Sequence, residues 1–83
     1  MIYVYAITEA SGLALPDVET GRLEVIQVEA LAAVCTRRAA GRLEPTAEEV
    51  WRHELVVEAL MRDRATLPAR FGTTFGEEGR LRE

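Results

Sequence analysis

Apolar positions change their spacing along the chain, and each change marks an element. From Ile2 to Ile7 almost every residue is apolar, most of them β-branched or aromatic. A run this short falls below the usual helix length and predicts a strand buried on both faces. Residues 8–21 then carry Ser11-Gly12, Pro16-Asp17 and Gly21, the chemistry of turns and loops. Leu23 to Val28 alternates in part, with Leu23, Val25 and Gln27 on one side and Glu24, Ile26 and Val28 on the other. This predicts a second strand. Leu31 to Thr36 predicts a third, joined to it by a tight hairpin at Glu29-Ala30, although the Ala-rich stretch 30–33 is also compatible with a helix. Residues 37–43, with Gly41, read as a loop.

The period then lengthens to that of a helix. Thr46 followed by Glu49 is a capping box, in which the threonine hydroxyl takes the Glu49 amide and the glutamate reaches back. Pro45 precedes the cap, where it costs no helical hydrogen bond. The helix is expected over about 46–64. At 100° per residue Val50, His53, Val56, Val57, Leu60 and Met61 share the arc that should face the core, and charged side chains fill the opposite arc, with Glu58–Arg62 as its helical ion pair. Trp51, Leu55 and Ala59, spaced four apart, line up away from the core arc. Either a later segment such as Phe75 or Leu81 folds over them, or they form an exposed partner-binding ridge anchored by Trp51.

Beyond the helix, residues 66–75 predict a last strand. Pro68 cannot donate to a ladder, so this strand is an edge or begins at the proline. Gly72 and Gly76 suggest turns around Thr73-Thr74-Phe75, and the polar tail 77–83 could open another helix. The element order β-β-β-α-β describes a single small α+β domain over residues 1–83, an antiparallel sheet against one main helix. A chain of this length buries roughly 60% of the surface that its unfolded form exposes, so modest stability is expected.

Composition narrows the functional classes. Net charge is −4, and all ten basic residues are arginine. Arg37, Arg38 and Arg42 form the one basic cluster, closely followed by Glu44, Glu48 and Glu49, so a solvated turn is expected there and no nucleic-acid partner. No apolar run reaches the ~18–20 residues of a membrane span. The opening Met1-Ile2-Tyr3-Val4-Tyr5 has no signal-peptide pattern, which makes a cytoplasmic location the expectation. The single Cys35 lies beside the apolar run Leu31–Val34 and reads as a small buried hydrophobe. A phosphate-binding loop is missing, because Gly72 to Gly76 has neither the lysine nor the spacing. His53 and Glu54 point ~100° apart on a helix and cannot grip one ion, so His53 reads as a hydrogen-bonded histidine at the edge of the core. No catalytic constellation, metal site or cofactor site is expected.

Two stretches carry a resemblance. His53-Glu54-x-x-Val57-Glu58-Ala59-Leu60 on the helix, followed by Leu67-Pro68-x-Arg70-Phe71-Gly72-Thr73, resembles the gas vesicle accessory F/L family (GvpL/GvpF). The opening Tyr3-Val4-Tyr5-x-Ile7 and the segment 21–34 fit that family's N-terminal region, and the likeness runs over about residues 2–76. It implies a modified ferredoxin-like fold in which the 8–21 loop replaces the first helix. It further implies a non-enzymatic assembly factor or structural accessory of gas vesicle formation, whose partners are the major shell protein and other gas vesicle accessory proteins. Family members are longer, so the chain is expected to match only their N-terminal part, as a fragment, a shortened paralogue or a minimal form. Within the motif, Pro68 should fix the exit from the helix and Gly72 should take a backbone geometry barred to other residues. Arg70 should pair with Glu54 or Glu58 or cap helix carbonyls, with a direct shell contact as the other reading. Partner contacts are accordingly expected at His53, Glu54, Leu67, Pro68, Arg70, Phe71, Gly72 and Thr73, or on the Trp51, Leu55, Ala59 ridge. The rival from another class is a small ferredoxin-like ligand-binding or regulatory domain that forms a homo-oligomer through its sheet.

Overall fold

A computed structural model describes residues 1–16, 23–38 and 46–75. The elements run β1 (Ile2–Glu9), β2 (Glu24–Val28), β3 (Leu31–Arg37), α1 (Ala47–Asp63), β4 (Thr66–Pro68) and β5 (Thr74–Phe75). The strands form one antiparallel sheet in the order β2-β3-β1-β4, with β5 also pairing β1. Among the described residues one helix packs on it. This α+β arrangement is compatible with a ferredoxin-like fold in which a segment without a helix among its described residues follows β1.

The near-continuous apolar character of β1 is explained by its central place: β3 lies on one side and β4 with β5 on the other. Ile2 to Ala6 are all at most 2% exposed. The strand also runs two residues past Ile7, because Thr8 and Glu9 still pair with Ala32 and Leu31. Against β3 its register slips between Val4 and Ala6. Tyr5 is the extra residue of this bulge, which lets Tyr5 and Ala6 pack in the same cluster. That cluster, facing α1, joins Tyr3, Tyr5, Ala6 and Val34 to Val56 and Leu60. On the outer face Ile2, Val4, Ala33 and Cys35 form a second cluster with Ile7, Ile26, Ala69 and Phe75. Burying a side chain such as Val56 or Leu60 contributes about 1.5–3 kcal/mol.

The hairpin between β2 and β3 turns at Glu29-Ala30 as expected, and β3 is a strand despite its alanines, since Ala32 and Ala33 are buried between paired neighbours. Glu29 takes φ 56° to make the turn. Thr46 caps α1 by accepting the Glu49 amide at 3.2 Å. The reciprocal half of the box is replaced: the Glu49 carboxylate turns to Arg38 and Arg52 instead. Four residues of the expected core arc are buried, His53, Val56, Val57 and Leu60. Val50 and Met61 are exposed, because the sheet contact is narrower than the apolar arc.

The expected strand over 66–75 is two short pieces. The chain leaves β1 after Ala69, turns through Arg70 to Thr73, and returns as β5. Pro68 ends an edge strand, where its missing N–H breaks no further ladder bond. The expectations for Gly21, Gly41, Arg42, Pro45, Gly76, Leu81 and the tail lie outside the described residues.

Candidate functional site

The turn between β4 and β5 is held from beneath by one buried histidine. Helical spacing puts His53 on the buried side of α1, a turn before Val56 and Val57, and leaves it 3% exposed under the turn. Its Nε2 lies 2.8 Å from the Ala69 carbonyl oxygen, which can only accept. Nε2 therefore carries the proton and donates. In the neutral ring Nδ1 then accepts from the Tyr3 hydroxyl at 2.7 Å. The Tyr3 oxygen in turn accepts the Gly72 amide at 3.4 Å. One chain of hydrogen bonds thus ties helix, central strand and turn together.

Ring contacts reinforce it. Tyr3, Tyr5, His53 and Phe71 meet edge-on or tilted, with centroids 4.9–6.1 Å apart. Such pairs add about 0.5–1.5 kcal/mol each beyond burial. Backbone bonds pin both ends of the turn to β1: the Ala69 amide donates to the Tyr5 carbonyl and the Val4 amide to the Thr73 carbonyl, each at 2.9 Å. Within the turn, both the Thr73 amide and its hydroxyl donate to the Arg70 carbonyl. Gly72 has φ 92°, the conformation that its type was expected to supply.

Arg38 closes the other side, a role that its place in an arginine pair did not reveal. Its guanidinium sits 4.8 Å from the Tyr3 ring centroid and pairs with Glu49 at the start of α1. Both side chains are less than a quarter exposed, which contradicts the expected solvated turn at this residue. Burial works against the Arg38 charge, but Tyr5 and Glu49 outweigh it and its pKa stands above the ordinary guanidinium value. Tyr5 lends this support although neither its hydroxyl nor Arg38 Nε meets hydrogen-bond geometry with a partner among the described residues. Burial raises the Tyr3 phenol above its ordinary value, and it does the same for the Cys35 thiol on the outer face. A thiol so placed is a poor nucleophile.

The motif therefore divides. His53, Phe71 and Gly72 come together with Tyr3, while Thr73 bonds Val4 and the Arg70 carbonyl. Glu54, Leu67, Pro68 and Arg70 face outward, and Leu67 is 69% exposed. Arg70 makes no ion pair with Glu54 or Glu58, since Glu58 holds Arg62 at 2.7 Å and the turn carries Arg70 into solvent. The carbonyl of Arg70, not its charge, is what the turn uses. The helix C-terminus is tied down instead by Arg64, whose guanidinium donates to the Glu9 and Ser11 carbonyls.

On the far side of α1, Trp51 is 64% exposed, and Leu55 and Ala59 are partly exposed beside it. Phe75 does not cover this ridge, because it pairs with Ile2 and packs on the outer face of the sheet. A shallow depression lined by Gly12, Ala14, Pro16, Ala59, Leu60, Asp63 and Arg64 lies at the other end of the helix. Its one cation, Arg64, is already engaged by carbonyls. Among the described residues no group of three or more His, Cys, Asp or Glu side chains could hold a metal ion, and no helix is long and apolar enough to cross a membrane.

The family model described as gas vesicle synthesis protein GvpL/GvpF matches residues 1–83. Neither a curated protein nor a solved structure matches the chain.

Proposed function

Since the chain belongs to the gas vesicle synthesis protein GvpL/GvpF family, we propose that it serves gas vesicle formation as a non-enzymatic accessory protein that binds the shell protein through the outer ridge of α1. The observation that carries this reading is Trp51, a large side chain 64% exposed on a helix whose opposite side holds the core. Indole side chains concentrate binding energy at interfaces because they bury much surface at little entropic cost. Leu55 and Ala59 extend the apolar strip, and the Glu48–Arg52 and Glu58–Arg62 pairs provide a polar rim. The buried cluster of Tyr3, His53 and Phe71 has a supporting role: it fixes the helix on the sheet so that the ridge is presented rigidly.

The test is direct binding of shell protein to the immobilised chain. Specific, saturable binding that Trp51→Ala weakens by about thirtyfold, equivalent to ~2 kcal/mol, is the expected result. Absence of binding by the folded chain removes the proposal.

A further inference from the structure

We propose that β2 is a self-pairing edge through which two copies of this chain join, antiparallel and centred on Ile26. The two edges of the sheet are unlike. Beyond β1, the β4–β5 edge is short, interrupted by the Arg70–Thr73 turn and closed by Pro68, all devices that discourage further pairing. Beyond β3, the β2 edge is five consecutive residues, Glu-Val-Ile-Gln-Val, without proline, bulge or basic residue. Among the described residues β2 pairs β3 alone, and no described strand lies along its other side. Its single charge, Glu24, is taken up by Arg37 at 3.1 Å. Nothing on this strand repels a neighbour.

The side chains select the partner and the register. Opposed residues on antiparallel strands point to the same face, so a two-fold axis through Ile26 sets Ile26 against its copy, Glu24 against Val28 and Val25 against Gln27. All five residues then find a partner, and no like charges face one another. Centring on Glu24 would oppose two carboxylates, and centring on Val25 or Gln27 leaves strand residues unpaired. The chosen register also extends an apolar row. Leu67, Ile7, Ala33 and Ile26 lie side by side across β4, β1, β3 and β2 on the outer face. Pairing at Ile26 joins this row to its copy, and on the opposite face it sets the copy's Gln27 beside Val25, which is 39% exposed. An isologous strand pair of this kind is a second copy's edge, not a shell-protein contact, and it leaves the Trp51 ridge free on each subunit.

Sedimentation equilibrium of the chain is expected to show twice the monomer mass at high micromolar concentration, with Ile26→Lys weakening the association by roughly tenfold or more. In a Cys35→Ala background, mild oxidation of Ile26→Cys is expected to give a covalent dimer, because paired Cβ atoms on opposed strands come within disulfide reach. Leu67→Cys and Trp51→Cys should cross-link roughly tenfold more slowly. A chain that stays monomeric at all concentrations overturns the proposal, and so does a dimer that cross-links faster through Leu67→Cys or Trp51→Cys. Should Ile26→Lys fail to fold, the order of the cross-linking rates decides.

Discussion

Replacing Tyr3 by phenylalanine removes a single oxygen from a site that is 1% exposed. That oxygen donates to His53 Nδ1 at 2.7 Å and accepts the Gly72 amide at 3.4 Å. The ring remains, and with it the contacts to Tyr5, His53 and Phe71. The loss is therefore almost purely polar. A buried acceptor left without a donor costs about 1–3 kcal/mol, and the long Gly72 contact adds little, so Tyr3→Phe should cost about 2 kcal/mol. In a domain of this size each kcal/mol moves the midpoint by roughly 4–8 °C, which places the variant about 8–16 °C below the parent. The coupling is sharper than the loss. In a His53→Phe background the acceptor is gone, and the same change at Tyr3 should cost less than ~0.5 kcal/mol. A double-mutant cycle followed by urea unfolding and circular dichroism would give an interaction energy of about 1.5 kcal/mol. A cycle that closes additively, or a Tyr3→Phe variant as stable as the parent, refutes the claim that this chain of hydrogen bonds holds the turn to the helix.

Further expectations concern the backbone and pH. Gly72→Ala should destabilise by about 1–2 kcal/mol through the positive φ of 92°, although no atom lies within 4 Å of the added methyl group, and thermal unfolding measures it. Glu29→Gly should stabilise by up to about 1 kcal/mol in urea titration, since a side chain at φ 56° is strained and glycine is not. Tyr3 and Cys35 have folded pKa values raised by burial above their ordinary 10.0 and 9.0, so the folded chain keeps protons that the unfolded chain has released. Their contribution is complete below about pH 9 and falls as pH rises through the folded values. Urea midpoints should decline across that alkaline window, and the Cys35→Ala variant should begin its decline later.

Much of this architecture was legible because local chemistry and tertiary place agree. The apolar run Ile2–Ile7 announced a central strand, Thr46 with Glu49 marked the helix start, and Pro68 marked an edge. The bulge at Tyr5 was not legible, because an all-apolar strand has no alternation to interrupt. The break at Arg70–Thr73 was hidden for a related reason: Gly72 signals a turn, but only the two separate pairings with β1 show that the chain leaves the sheet and comes back. At the site, His53 was readable as a satisfied core histidine, while its partners were not. Tyr3 is 50 residues away in sequence and Ala69 contributes only a carbonyl, which has no sequence signature. Arg38 illustrates the same limit, since its ion pair with Glu49 replaces half of a capping box that looked self-contained. Arg70, the most conspicuous charge of the motif, contributes through its main chain.

Trp51 is the only tryptophan in the chain, so its fluorescence reports on the ridge alone. Titrating shell protein into the chain is the most direct test of the functional reading. A solvent-type emission in the free chain that shifts to shorter wavelength and saturates on addition is the predicted result. An emission that stays unchanged while an independent signal shows the two proteins bound, or no interaction of any kind, contradicts it.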